Sequence, residues 1–228
     1  MISQFEEVKR LFEEMESHLE NTGTDINNLH LFVIGGAVLL YHGLKPATKD
    51  IDIIVESKKE YFTFQKLLKS IDFKPKIPGL EYRHMNLTQI FERDDFRIDV
   101  FHKTVCNEFS LSKAMIKRAI QIQTHEKLKI SLCSNEDIFL FKTMTEREGD
   151  LEDCIALVQK GIEWNVILTE LKSQIKHSGK EIWITWVGER MDILVEKGLN
   201  ISIMKEIDTL REDYFNELEK KNKYTKSD

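Results

Sequence analysis

Two glycines followed at a short interval by two aspartates restrict this chain more than any other feature. The run Phe32-Val-Ile-Gly-Gly-Ala37 sets a β-suited segment, Leu31 to Ile34, directly before Gly35-Gly36, and a helix-like stretch from Ala37 to His42 follows. The thirteen residues from Ala37 to Lys49, which include Pro46, then lead into Asp50-Ile-Asp52-Ile-Ile-Val55. The order strand, glycine turn, helix, loop, strand follows from these residues. Side chains two apart on a strand share a face, so Asp50 and Asp52 can converge on one centre while Ile51 and Ile53 enter the core.

A third carboxylate suits the same centre. The stretches Tyr82 to Phe91 and Phe96 to Phe101 are predicted to form an antiparallel hairpin turning at Arg93-Asp94-Asp95, with Asp99 on its second arm. Cross-strand neighbours lie only ~4.5–5.5 Å apart at Cα and can share a cation. Magnesium takes oxygen ligands from a few carboxylates, phosphates and water, and two such ions can stabilise attacking and leaving oxygens together. The Gly35-Gly36 turn would let backbone N–H groups approach a triphosphate with no Cβ in the way. For Asp99 the competing reading is a surface acid paired with Arg97 or Lys103.

The rest of the chain frames this unit. Phe5, Val8, Leu11, Phe12, Met15 and Leu19 recur at helical spacing ahead of a polar break at 21–28. Residues 61–71 read as a helix and 74–79, holding the other two prolines, as a loop. Residues 120–124 and 128–132 alternate as a small edge hairpin, with His125 and Glu126 near its turn. Ser134-Asn-Glu-Asp137 is a capping-box-like start, and helical periodicity then runs to about residue 222, broken near Gly161, Gly179 and Gly198. The expected architecture is an α/β (α+β) domain over residues 1–133, with a mixed sheet flanked by helices, and a helical domain over 134–228 that closes over the cleft. The terminal KKNKYTKSD reads as a solvated tail.

This arrangement resembles the polymerase-β-like nucleotidyltransferase superfamily, whose pattern is a Gly-Gly or Gly-Ser turn, an Asp-x-Asp/Glu strand and a third acid on a later strand. The likeness covers roughly residues 28–103. Many active members have Ser where this chain has Gly36, so a backbone contact must replace that hydroxyl. A second segment, from Asp137 through Lys142, Arg147 and Asp150 to Asp153, resembles the lysine helix and Arg-x-x-Asp-x-x-Asp stretch of AbiEii-type toxin and minimal nucleotidyltransferase proteins. The resemblance implies Asp50, Asp52 and Asp99 as metal ligands and catalytic acids for Mg²⁺ or Mn²⁺. It further implies Lys142 at the nucleotide and as a catalytic group, and a nucleoside triphosphate such as ATP as donor; Gly35 and Gly36, and Thr48 through a hydrogen bond to phosphate, are the other nucleotide-binding candidates.

Plainer readings stand beside these. Lys142 with Glu146, and Arg147 with Asp150 or Asp153, can be helix-surface pairs. Thr48 can end a loop, Lys45 and Lys49 can be solvated, and the histidines, with His42 and His102 nearest the acids, form no metal-ligand pattern. Trp164, Trp183 and Trp186 fall in the helical region, where packing is the default. Two other function classes fit parts of the pattern. One is a catalytically silent relative that binds a partner protein, as an antitoxin-like or scaffold module. The other is a glycosyltransferase using Asp-x-Asp for a nucleotide-sugar, which the early Gly-Gly turn fits poorly.

Composition narrows the partners. A net charge of −6 argues against a broad grip on nucleic acid. Cys106, Cys133 and Cys154 have no CxxC or zinc spacing and suit a reduced cytoplasm. The start lacks a secretory pattern, and the longest apolar stretch, Leu31 to Tyr41, is far short of the ~20 residues a membrane span needs. The acceptor is left open among a tRNA end, a protein hydroxyl and a small molecule, and membership of a toxin–antitoxin pair is left open with it.

Overall fold

The computed structural model describes residues 1–21, 29–124 and 126–224. The polar break at 22–28, His125 at the hairpin turn and the last four residues of the expected tail lie outside the described residues. By contact the chain forms two compact units, Met1–Phe141 and Lys142–Asp228.

In the first unit the leading helix α1 (Phe5–Asn21) buries Val8, Leu11, Phe12, Met15 and Leu19, the stripe expected from the sequence. Strand β1 (Leu29–Ile34) leads through Gly35 into the short helix α2 (Gly36–Tyr41), and the loop after it delivers β2 (Ile51–Val55). Helix α3 (Lys58–Ser70) starts at a capping box, the Ser57 hydroxyl accepting from the Glu60 N–H and the Glu60 carboxylate from the Ser57 N–H. Then come β3 (Lys74–Lys76), a 3₁₀ turn at Leu80–Met85, β4 (Gln89–Arg93), β5 (Phe96–His102), β6 (Thr104–Val105), β7 (Phe109–Ser110), α4 (Lys113–Arg118), β8 (Ile120–Thr124) and β9 (Leu128–Leu132). Helix α5 (Asn135–Thr143) begins in this unit. Ser134 caps it, accepting from the Asp137 N–H at 3.3 Å, while Arg118 holds the Asp137 carboxylate at 2.5 Å.

The main sheet is mixed, in the order β3-β4-β5-β2-β1-β9-β8. Strand β2 runs antiparallel to β1 but parallel to β5, and β1 runs parallel to β9. Helices α2 and α3 lie against β1 and β2, and α1 packs on α2 and α3, so the central strands are largely buried. Leu31, Phe32, Val33, Ile51, Ile53 and Ile54 are fully buried. Each such side chain contributes roughly 1.5–3 kcal/mol of burial, which makes the centre of this sheet a rigid base for anything mounted on it.

Three expectations need correction. Residues 82–85 belong to the 3₁₀ turn and not to a strand, so the hairpin is shorter, Gln89–Arg93 against Phe96–His102; Asn86, in the left-handed region at φ 57°, separates turn from strand. Residues 74–76 of the expected loop pair with β4 as an edge strand, where Pro75 is tolerated. Asp50 sits one residue before β2.

The second unit is helical: the end of α5, then α6 (Glu148–Lys160), α7 (Trp164–Ser178), α8 (Trp183–Glu196) and α9 (Met204–Tyr224). Gly161, Gly179 and Gly198 take positive φ just beyond three of these helices, the breaks read from the sequence. Among the described residues no helix is long and apolar enough to cross a membrane. The three cysteines are buried and form no disulfide.

Candidate active site

Strand register decides where the acids point. Asp52 of β2 is the direct partner of Asp99 of β5, so both side chains leave the same face of the sheet. Asp50, one residue before β2, lies close enough to add its charge to the surroundings of Asp99. On the same face Ile34 and Ile54 flank Asp52, and Ile90 and Phe101 flank Asp99, all four buried. An apolar border of this kind strengthens every charge interaction inside it.

The glycine turn meets this cluster. Gly35 adopts φ 67° and ψ −146°, a conformation essentially reserved for glycine, and a Cβ built on it would overlap the Asp52 carboxylate. At Gly36 a Cβ would overlap the Thr48 hydroxyl, with the Lys45 stem 4.0 Å away, so a serine there would have to displace Thr48. Thr48 itself is buried and donates its hydroxyl to the Asp50 carbonyl at 3.1 Å. Its backbone pairs in both directions with Ile2, at 2.8 and 2.9 Å. The loop that feeds Asp50 is thus fixed from two sides.

A cation stands at Asp99. Arg97, two residues before Asp99 on β5 and so on the same face, donates Nε and Nη2 to the two Asp99 oxygens, both at 2.7 Å. Its guanidinium also lies over the Tyr82 ring at 5.0 Å, and Glu92 is its direct partner on β4. Burial pushes the Asp99 carboxyl above its ordinary value; the Arg97 fork opposes this and the Asp50 charge adds to it. Asp99 is only 1% exposed, which makes it a buried acid and not the surface acid that a pairing with Arg97 suggested. Neither Arg97 nor Tyr82 was singled out as a site residue from the sequence, although the two-residue step from Arg97 to Asp99 carries the same signal as that from Asp50 to Asp52.

The donor set suits a hard divalent ion in kind, since carboxylate oxygens are the ligands such an ion takes. Among the described residues, no three His, Cys, Asp or Glu side chains are gathered closely enough to hold an ion as they stand. Asp99 gives both oxygens to Arg97.

In the second unit Lys142 is buried, its ammonium 2.5 Å from Asp150 and 2.8 Å from Asp153. Arg147 adds a 2.7 Å contact to Asp150, and Thr145 donates to the same carboxylate. Burial alone would lower the lysine's proton affinity, yet the two carboxylates outweigh it and hold the ammonium above its usual range. Asp150 is held below the ordinary carboxylate range by Lys142 and then Arg147, against the opposing effect of burial. The partners differ from the expected Glu146 because α5 ends at Thr143 and α6 starts at Glu148, so residues 142 and 146 do not share one helix.

The remaining candidates sit apart from these clusters. Lys49 is exposed. His42 rests against Tyr41 and His102 against Tyr61, at ring distances of 5.0 and 6.2 Å. Trp183 is fully buried in α8, with Trp164 and Trp186 half-buried on α7 and α8.

A glycine turn abutting an aspartate, with a third acid in register on the adjoining parallel strand, is the arrangement expected of a nucleotidyltransferase. Residues 6–185 match the family described as "Nucleotidyltransferase of unknown function (DUF6036)", and the chain belongs to that family. No curated protein matches. Solved structures similar to the chain include ANT(2'')-Ia in complex with adenylyl-2''-tobramycin, 10% identical over 74% of this chain and 97% of that one, with a TM-score of 0.47. A solution structure of ANT(2'')-Ia is 13% identical over 75% and 94% of the two chains, with a TM-score of 0.47. TM1012 of Thermotoga maritima, named as a candidate nucleotidyltransferase, is 17% identical over 61% and 83%, with a TM-score of 0.40. At these scores the likenesses carry no argument about substrate or mechanism. The AbiEii-type character of residues 137–153 stays a sequence resemblance.

Proposed function

We propose that the chain transfers a nucleoside monophosphate from a nucleoside triphosphate to an acceptor hydroxyl or phosphate, with Mg²⁺ or Mn²⁺ held by Asp50, Asp52 and Asp99. The observation that carries this reading is the Asp52–Asp99 register beside a Gly35 that leaves no room for any side chain but its own hydrogen. The divalent ion, when bound, neutralises charge developing on the phosphoryl oxygens. Gly35 and Gly36 let the backbone approach the triphosphate, and Thr48 serves by fixing the Asp50 carbonyl, in place of touching phosphate itself. The acceptor oxygen attacks the α-phosphorus in line, its proton passes to Asp99, and the bond to the bridging oxygen breaks to release pyrophosphate. Lys142 enters as the anchor of the α5–α6 join, a role supported by the two carboxylates that already take its charge.

A second reading, a silent nucleotidyltransferase-fold module that binds a partner protein, is favoured by one observation: the Arg97 fork that occupies both Asp99 oxygens. One experiment separates the two. The protein is incubated with each α-labelled nucleoside triphosphate, Mg²⁺ or Mn²⁺ and a cell extract, beside its Asp52→Asn variant. Label transferred by the wild type alone supports catalysis and identifies the acceptor, including any tRNA or protein target that a toxin would modify. No transfer with any of the four nucleotides, together with no metal-dependent thermal stabilisation by them, leaves the silent module.

A further inference from the structure

Two lysines precede the acidic strand, Lys45 and Lys49, and the structure treats them differently. Lys49 is exposed, whereas Lys45 is half-buried. The Lys45 Cδ lies 4.0 Å from where a side chain on Gly36 would begin, on the flank that Thr48 also lines. We infer that Lys45 binds the triphosphate, as the cation that meets its phosphates at the glycine turn. This inference rests on the nucleotide reading above and names a residue that reading does not use.

The path of the chain explains how Lys45 comes to the turn. Helix α2 runs away from it for only six residues and then reverses. Gly43 takes φ 68°, its N–H bonds to the Leu40 carbonyl at 3.1 Å, and the Leu44 N–H reaches back to the Leu39 carbonyl at 2.9 Å. That pair of bonds around a left-handed glycine is a Schellman ending, which directs the chain back toward the helix it has just left. Six helical residues rise only ~9 Å, so the returning chain and a long side chain bring the Lys45 stem to the start of α2. Pro46 disfavours helical backbone at Lys45, and Thr48 is pinned to Ile2 in both directions. The segment from 43 to 48 is therefore held at both ends, and little ordering is left for a ligand to impose.

The two glycines face groups of opposite charge. Gly35 abuts the Asp52 carboxylate and Gly36 the Lys45 stem. Carboxylates repel a triphosphate, so a nucleotide bound beside Asp52 is helped by a positive group at the same turn. An ammonium on a four-carbon stem acts as a point charge with three rotatable donors, and it can serve a protein acceptor and a phosphate together.

The test is calorimetric titration with the α,β-methylene analogue of each nucleoside triphosphate, which the proposed reaction cannot cleave. The mono- and diphosphate of the base that binds most tightly follow. Each titration is run in EDTA and in Mg²⁺ for wild type, Lys45→Met, Lys45→Gln, Lys45→Arg and Lys49→Gln. Lys45→Met keeps the stem against Gly36 and drops the ammonium. It is expected to bind triphosphate about tenfold more weakly than wild type, with monophosphate nearly unchanged and diphosphate between. Lys45→Gln should repeat this result and stands in if Lys45→Met does not fold. Lys45→Arg should recover most of the loss. Lys49→Gln, which removes the same charge from the same loop, should bind as wild type does.

Triphosphate binding by Lys45→Met and Lys45→Gln equal to that of wild type overturns the assignment and leaves the nucleotide reading standing. So does a loss that is the same for mono-, di- and triphosphate, or one that Lys49→Gln reproduces. No binding of any nucleotide by the wild type, in EDTA or in Mg²⁺, overturns both.

Discussion

Each unit of the molecule gathers aspartates around a buried or half-buried cation, and the two clusters are built on opposite principles. In the helical unit Lys142 and Arg147 meet Asp150 and Asp153, two positive charges against two negative, with Thr145 donating to the same carboxylate. Around the sheet a guanidinium forks onto Asp99, a carboxyl that burial and the charge of Asp50 push above its ordinary proton affinity. The first arrangement is complete in itself. The second sets like charges beside one another on a rigid, apolar-bordered face, Asp50 raising Asp99, a cost in stability that a protein keeps where a ligand will use it.

The largest effect expected from this contrast is on folding of the helical unit. Lys142→Met removes the ammonium that two buried acids share, and a loss of about 3–5 kcal/mol is expected, read as a lowered denaturation midpoint. If the cluster is only structural, a triple change of Lys142→Met, Asp150→Leu and Asp153→Leu should recover most of that loss. Asp52→Asn acts on the other side of the comparison. Transfer should fall on the order of 10³-fold, equivalent to about 4 kcal/mol of transition-state stabilisation, while the denaturation midpoint hardly moves.

A smaller effect separates the two kinds of carboxylate by pH. Asp150→Asn should cost roughly 1.5–3 kcal/mol at neutral pH. Because the Asp150 value is depressed on folding, its contribution is present above the ordinary carboxylate range and is lost as pH falls through the depressed value. Lys142 is raised, so its share persists below the ordinary lysine range and disappears only as pH climbs through the raised value. Denaturation of wild type against variant should therefore show a flat difference across neutral pH that shrinks at low pH. The smallest effect is the most diagnostic: Asp50→Asn should leave stability unchanged or raise it by up to ~1 kcal/mol, since it removes a like charge that Asp99 feels. A clear destabilisation would place Asp50 with the balanced cluster.

Those features set by neighbouring residues were legible in the sequence. The Gly35-Gly36 bend, the Asp50–Asp52 alternation, the stripe of α1 and the glycine breaks of the helical unit follow from local spacing and are present in the structure. Register between strands distant in sequence was not, because nothing in Ile51–Val55 or Phe96–His102 alone specifies a parallel pairing of Asp52 with Asp99. Tyr82 was misread for a related reason: aromatic and β-suited neighbours favour a strand, while Gly79 and the left-handed Asn86 fold the segment into a 3₁₀ turn that lays the ring under Arg97. The partners of Lys142 were hidden by the break between α5 and α6, which brings Asp150 and Asp153 to it across a turn instead of along one helix.

The pairing of Ile2 with Thr48 has a practical consequence for anyone handling the protein. Ile2 is buried and Met1 is 72% exposed, so whatever is joined ahead of residue 1 emerges beside the segment that presents Asp50. A purification handle there would tug on the residues that hold the acids in place, and a preparation tagged at that end could look inert for reasons unrelated to its chemistry.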